Sequence, residues 1–447
     1  MPSKLDVLIT NALLFTMDAD RRIFRGTMGI SKGRIVLLSS SQRGKLPPAK
    51  QNIDAKGRVL LPGFVQCHIH LAQTLFRGLA EDLPLLHWLS KRIWPLEAAH
   101  TARSLQASAQ LGVAELLLGG STCILDMGTV HHHNTVFEVM AQSGIRGFSG
   151  KAMMDRGRNL PSALREETAH SLRQSRILFD RWHGYDQQRL AYAFAPRFIL
   201  SCSSALLRET VKLATNLGAI IHTHAAEHPA ERLAVRHAFG KDDIAALHDA
   251  GIYGPQVVLA HGVQLRRAEM KALSKTHTRI AHCPSANLKL ASGIADLCAL
   301  RSNGVLVGLG ADGAPCNNRL EMWTEMRGAA LLAKIKSGDP SALNPMTILS
   351  MATIEGARVL GLDDKIGSLE VGKEADFILL DLPATTHLPG QDLAANLVYA
   401  GSSSAVSDVW VAGKQLVRNR KLLSLDTSTL KTQATTELKK LLHRSQL

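Results

Sequence analysis

The chain has 447 residues, of which 45% are hydrophobic, 20% charged and 4% aromatic; this composition argues against disorder or a collagen repeat and leaves one large α/β barrel with additions, or two to three modest domains. Subtracting 38 acidic from 52 basic residues gives a net charge of +14. The basic residues fall in short scattered groups (Arg21/Arg22/Arg25, Arg266/Arg267, Arg418/Arg420/Lys421) without aromatic interleaving, which favours a solvated basic surface over a nucleic-acid site.

The start, MPSKLDVLITNALL, places Asp6 where a signal peptide needs an unbroken apolar stretch, and no later stretch of about 18 apolar residues lacks charge, so a cytoplasmic protein without membrane contact is expected. The 6 cysteines, Cys67, Cys123, Cys202, Cys283, Cys298 and Cys316, form no CxxC pair and several lie in apolar runs, as reduced core residues do. Residues 5–60 alternate short β-rich runs (Val7 to Ile9, Ala12 to Thr16, Met28 to Ile30, Arg34 to Leu38) with turns such as Ser31-Lys32-Gly33, the pattern of small antiparallel sheets.

The middle alternates short apolar runs with amphipathic stretches, as βα units do. Eight strands are expected: Val59 to Val65, Thr122 to Asp126, Arg146 to Met153, Leu190 to Ala195, Ala219 to His224, Val257 to His261, Thr278 to Cys283 and Val305 to Ala311. Helices are expected at Ala102 to Leu118, Leu164 to Trp182, Ala205 to Leu217 and Arg319 to Lys336. Eight units over roughly 250 to 300 residues match a (β/α)8 barrel, whose active site lies at the C-terminal strand ends. The tail returns to short strands in Gly367 to Asp381 and Asp408 to Leu423, compatible with one small β-domain made from both ends. Thr429 to Arg444 then sets Leu430, Ala434, Leu438, Leu441 and Leu442 on one helical face, a docking helix rather than a membrane anchor.

Polar residues concentrate at the expected strand ends. His68 and His70, two apart on an extended strand, project to one side and can reach one metal. Among 19 histidines one such pair is weak. The fifth strand, however, ends in His222-Thr223-His224-Ala225-Ala226-Glu227, the sixth in Ala260-His261 and the eighth in Gly310-Ala311-Asp312. Four strand ends delivering ligand-type residues to one face favour a metal centre over core histidines. The run His131-His132-His133 reads as a solvated loop.

The segment from Val59-Leu60-Leu61-Pro62-Gly63-Phe64 into His68-x-His70, then HxxE, AHG and GADGAPCNN, resembles the amidohydrolase superfamily, in its branch of purine, nucleoside and s-triazine aminohydrolases, over essentially the whole chain. The resemblance implies a β-sandwich domain from residues 1–60 plus 365–425, a metal-dependent barrel over 61–364 and a C-terminal helix over 426–447. It also implies that His68, His70, His224 and Asp312 hold one Zn²⁺ per chain, with Fe²⁺ or Mn²⁺ as alternatives. The fourth strand, Ala193-Phe194-Ala195-Pro196-Arg197, offers no lysine to bridge a second metal. His222 is assigned to core packing, because only His224 stands in HxxE spacing to Glu227.

In the family's chemistry, hydroxide generated near neutral pH attacks an amidine-like ring carbon. Asp312 and His261 orient that hydroxide, Glu227 protonates the ring nitrogen, and ammonia leaves. Gln73 and Arg197 resemble residues that contact the heterocycle in guanine deaminases. Trp88, Trp94 and Glu97 instead resemble a nucleoside site in which the glutamate binds ribose hydroxyls, although both tryptophans are equally compatible with core. His282 is placed at the site rim.

The expected function is release of ammonia from an adenosine-type nucleoside such as 5′-deoxyadenosine or 5′-methylthioadenosine, with a guanine-type base deaminase or an s-triazine hydrolase as alternatives. A non-catalytic scaffold of the same fold disagrees with the complete ligand set. The expected partner is a small heterocyclic substrate, and a homo-oligomer is expected.

Overall fold

In the computed structural model, which describes residues 4–40, 46–157 and 159–446, the alternating pattern at the start of the chain becomes strand pairing. Leu5–Phe15 pairs antiparallel with Ile23–Ser31, which pairs with Arg34–Ser39. The tail strands Phe377–Leu380, Val406–Val411, Lys414–Arg418 and Lys421–Leu422 join the same nine-stranded sheet, so both ends of the chain meet there. The sheet is mixed rather than purely antiparallel, because Leu5–Phe15 also runs parallel to Ala49–Asp54 and Val59–Pro62. Leu60, Phe377, Leu379 and Trp410 face the sheet's own apolar core, while their neighbours Val59, Leu61, Ile378 and Leu380 join the core shared with the barrel. This alternation is the period-two consequence of β geometry.

One boundary differs from expectation. The run Val59 to Val65 is not one barrel strand: Val59–Pro62 pairs antiparallel with Phe377–Leu380, and the barrel begins at Phe64–His70. The chain changes sheets at Gly63, where a Cβ would come within 2.1 Å of Thr122 Oγ1, so only glycine fits. In the tail, only Phe377–Leu380 of the stretch Gly367 to Asp381 is a strand.

The second sheet has ten strand segments, all paired in parallel, with helices packed around them. Two segments, Arg146–Gly150 and Ala152–Met153, make the third barrel strand, and Val307–Leu309 with Asp312–Gly313 make the eighth. Val307–Leu309 pairs with Arg279–His282, whereas Asp312 and Gly313 pair with Ile69 and His70, which returns the sheet to its first strand and closes a TIM-like barrel. Gly310 permits that approach: a Cβ there would stand 2.7 Å from the His68 carbonyl oxygen. Gln66 fastens the same seam, accepting from Ala311 N at 2.9 Å and donating to Leu320 O at 3.3 Å.

The helix Ala102–Leu118 keeps its expected limits, and those expected near Leu164, Ala205 and Arg319 run Thr168–Trp182, Ser204–Leu217 and Met322–Ser337. The final helix, Thr427–Ser445, buries Leu430, Ala434 and Leu441, and Arg444 donates to the Ala99 carbonyl at 2.8 Å, so it docks on the barrel. Among the described residues no helix is long and apolar enough to cross a membrane.

Arg146, at the start of the third barrel strand, is buried and donates through Nε to Asp376 Oδ2 at 2.7 Å and through Nη2 to Asp376 Oδ1 at 3.0 Å, with Glu374 also in contact. It thereby ties the barrel to the terminal sheet. Arg146→Met should leave Asp376 without its cation in a buried setting and destabilise the protein by about 3–5 kcal/mol. Urea unfolding measures this; a loss below about 1 kcal/mol would mean water reaches the pair.

Candidate active site

At the C-terminal mouth of the barrel each strand end contributes a polar group, and hydrogen bonds fix how each is turned. His222 Nδ1 lies 3.0 Å from the Val258 carbonyl oxygen, so Nδ1 carries the proton and Nε2 is an acceptor. His68 Nδ1 lies 2.7 Å from that acceptor and must donate to it, which leaves His68 Nε2 as a bare lone pair. His70 Nδ1 donates to Met127 O at 2.7 Å and His224 Nδ1 to Arg197 O at 2.6 Å. His261 Nδ1 donates to Asn287 Oδ1 at 2.9 Å. Four imidazoles thus expose bare Nε2 atoms; His68, His70 and His261 are buried and His224 is half-buried, and desolvation lowers His68, His224 and His261 and takes His70 down to about 3.

These lone pairs converge. His70 Nε2 lies 3.2 Å from His224 Nε2, and Asp312 Oδ1 lies 3.2 Å from His68 Nε2 and 3.3 Å from His70 Nε2. Ligand atoms of His68, His224, His261 and Asp312 all fall within 4.8 Å of one another. Nε2 of His68 and of His261 is buried without a hydrogen-bond partner. Acceptors facing acceptors in a dry site repel unless a cation lies among them, and three or four imidazoles with one carboxylate make a donor set for Zn²⁺ or a similar first-row metal.

His261 and Asp312 carry φ angles of 77° and 60°, and Ala226 one of 50°, all left-handed and strained for residues with a Cβ. All three end strands or follow them directly, where the backbone must bend to turn side chains inward. Glu227, on the turn after His224, places Oε2 3.5 Å from His261 Nε2. Burial first, then the Asp312 charge, push its carboxyl well above the usual range against the opposing pull of Arg197.

The pocket over this cluster is lined by His70, Gln73, Leu85, Trp88, Leu89, Arg197, Phe198, His224, Glu227, His261 and Asp312. Gln73, Trp88 and Arg197, named from the sequence as substrate contacts, are among these lining residues. Glu97 does not line the pocket: it is 2% exposed and accepts from Gln73 Nε2 at 2.9 Å and Arg197 Nη1 at 2.5 Å, so its charge is already partnered within the protein. His282 is buried beside His261 rather than at the rim. Trp94 is buried and borders a separate cavity of about 630 Å³.

Two histidine assignments are corrected. His222 is no mere packing residue, since it sets the tautomer of His68; its position two before His224 on an extended strand was the available signal. The run 131–133 is not wholly solvated: His131 and His132 are exposed, but His133 is buried with Nε2 3.0 Å from Ser149 Oγ. Ser149 donates to Asp126 Oδ2 at 2.5 Å, and Asp126 Oδ1 accepts from Leu71 N at 2.8 Å, so this chain of contacts braces the backbone just after His70. Burial raises Asp126 to about 6.

A closed parallel barrel with a histidine and aspartate cluster at its C-terminal mouth defines a metal-dependent hydrolase of the barrel type. Residues 59–416 match the amidohydrolase family model, and the chain belongs to the amidohydrolase family. The 5-methylthioadenosine/S-adenosylhomocysteine deaminase of Desulforudis audaxviator is 36% identical over 431 residues, 96% of this chain and 97% of its own length. The 5′-deoxyadenosine deaminase of Methanobrevibacter smithii is 39% identical over 375 residues, 84% of each chain. The crystal structure of an adenosine deaminase from Xanthomonas campestris with bound zinc superposes with a TM-score of 0.92 at 32% identity, covering 99% of both chains.

His222→Leu should remove the acceptor that orients His68 and weaken metal binding about 10- to 100-fold. Competition with a chromophoric chelator reads this directly; unchanged affinity would mean that His68 needs no such support.

Proposed function

We propose that this protein is a zinc-dependent aminohydrolase that releases ammonia from an adenosine-type nucleoside such as 5′-deoxyadenosine or 5′-methylthioadenosine. The observation that carries the reading is the convergence of bare imidazole nitrogens on Asp312 with the Glu227 carboxyl alongside, its Oε2 3.5 Å from His261 Nε2. His68, His70, His224 and Asp312 are the proposed ligands of one metal, with Fe²⁺ or Mn²⁺ as substitutes for zinc. The chain's fourth strand ends in Pro196 and supplies no bridging lysine. When bound, the metal supplies a water nucleophile at neutral pH.

The remaining steps belong to the side chains. His261 and Asp312 orient the attacking oxygen through hydrogen bonds. Glu227 takes one proton from the attacking water and delivers it to the ring nitrogen as the ring carbon becomes tetrahedral, then takes the second proton from that oxygen and passes it to the departing amino group, so that ammonia leaves neutral and Glu227 returns to its starting state. Leu85, Trp88, Leu89 and Phe198 cover the heterocycle with apolar surface. Gln73 Oε1, buried and without a partner, accepts from the substrate.

The pocket itself holds about 20 Å³ of water-accessible space, so a nucleoside enters as the segment carrying Leu85, Trp88 and Leu89 withdraws. The other face of that segment, with Leu86, His87 and Ser90, borders the cavity of about 630 Å³, which gives it room. A π-helical turn at Leu89–Ile93 interrupts the helix there, a frequent mark of functional segments.

The nucleoside preference is supported by the names of the similar relatives. Because Glu97 already has Gln73 and Arg197 as partners, desolvation alone does not require ribose hydroxyls. A guanine-type base deaminase is the second reading, favoured by the Arg197 guanidinium on the pocket wall, which suits a carbonyl oxygen.

The purified enzyme should hold about one divalent metal per chain by elemental analysis. Glu227→Gln should keep the metal and lose ammonia release by roughly 10²-fold or more, whereas His68→Ala should lose both. A glutamine variant that turns over at the parent rate would remove Glu227 from the mechanism.

The parent enzyme should show a kcat/KM at least about tenfold higher on its best adenosine-type nucleoside than on guanine or on the corresponding free base, read by ammonia release. Guanine outperforming every adenosine derivative would transfer the assignment to a base deaminase.

A further inference from the structure

Glu227 sits on a turn that does not hold itself. Ala226 before it is left-handed, and the strain of that conformation favours relaxation of the turn unless neighbours restrain it. The carbonyls of Ala225 and Ala226 are held by the N–H groups of Gly262 at 3.1 Å and Gln264 at 2.8 Å. A further restraint comes from Glu231, whose Oε2 accepts from the Glu227 N–H at 2.9 Å and the His228 N–H at 3.4 Å.

Glu231 is the third residue of the helix Pro229–Phe239, so its reach back to His228 is a capping contact; the bond to Glu227 lies one residue beyond that. A capping glutamate serves equally well at a solvated helix end. This one is 1% exposed, and its neighbour Asp243, at the start of the helix Asp243–Asp249, is 0% exposed. Glu231 Oε1 and both oxygens of Asp243 have no hydrogen-bond partner. Burial, then the neighbouring Asp243 and Glu227 carboxyls, push the Glu231 carboxyl well above its ordinary range. Two buried acids with orphaned oxygens are a poor way to cap a helix. The arrangement makes sense if the oxygen bound to the Glu227 amide has a task of its own.

We propose that Glu231 is a positioning residue for the reaction: its Oε2 pins the Glu227 amide, and Asp243 backs it, so that the Glu227 carboxyl stays beside His261 and the substrate. This rests on Glu227 as the proton carrier. It predicts that the contact matters to turnover and not to metal binding or substrate affinity, because neither Glu231 nor Asp243 lines the pocket.

The test compares Glu231→Ala and Glu231→Gln, each purified with metal and assayed for ammonia release on the best substrate. The alanine variant should keep its metal and lower kcat by about 10- to 100-fold, the scale of a displaced catalytic group, with KM changed less than about threefold. The glutamine variant should recover to within about threefold of the parent, because its amide oxygen accepts the same two N–H groups and its amide N–H can donate to Asp243.

If the alanine variant does not fold, Glu231→Asp, too short to reach the Glu227 amide, should show the same kcat loss. In a Glu227→Gln background, Glu231→Ala should cause little further loss, since it acts only through Glu227. An alanine variant with parental kcat, a glutamine variant as impaired as the alanine, or equal losses in both backgrounds would each overturn the positioning role. Full activity of Glu227→Gln alone would instead overturn the proton-carrier reading beneath it.

Discussion

The structure depends on one electrostatic constraint: several buried lone pairs point at the same small volume. His68, His70, His224 and His261 each give their Nδ1 proton to an acceptor elsewhere, and Asp312 adds an oxygen within 3.3 Å of two of the bare nitrogens. Without a cation this arrangement is repulsive, so the stability of the barrel mouth and the occupancy of the site are linked. The acceptors that impose it are backbone carbonyls of Met127, Val258 and Arg197 and the side chains of His222 and Asn287. Much of the metal chemistry is therefore set by groups that never approach the metal.

The barrel seam serves the same constraint. Closure between the first and eighth strands places Asp312 beside Ile69 and Gly313 beside His70, which brings the carboxylate to the imidazoles. Gly310 and Gln66 secure that seam, while left-handed backbone at Ala226, His261 and Asp312 turns the ends of three strands inward. Strain at those positions is tolerated because the surrounding sheet and hydrogen bonds overdetermine them.

The barrel and the converging ligands were legible in the sequence because both rest on local patterns: alternating βα units, and polar residues at strand ends. His68, His70, His224, Glu227, His261 and Asp312 were each marked by their place at the end of an apolar run. The departures share a different cause. Gly63 divides Val59 to Val65 between two sheets because Pro62 finds its partner in Phe377, over 300 residues away. The role of His222 depends on a carbonyl of the neighbouring strand, and the partners of Glu97 come from two distant strand ends. His133 is buried by contact with Ser149 on the next strand, which the run of three histidines does not reveal. Glu231 looks like an ordinary helix-capping residue until its burial and the orphaned oxygens of Asp243 are seen.

The sheet shared by both ends of the chain has a consequence during synthesis. Val59–Pro62 leaves the ribosome early, yet its antiparallel partner is Phe377–Leu380. At 5–20 residues per second the interval is roughly 15 to 60 s, during which a hydrophobic strand edge has no mate. Nascent chains held in this state are exposed to pairing with one another, so the yield of native protein should depend on translation speed and on chaperones that shield the waiting edge.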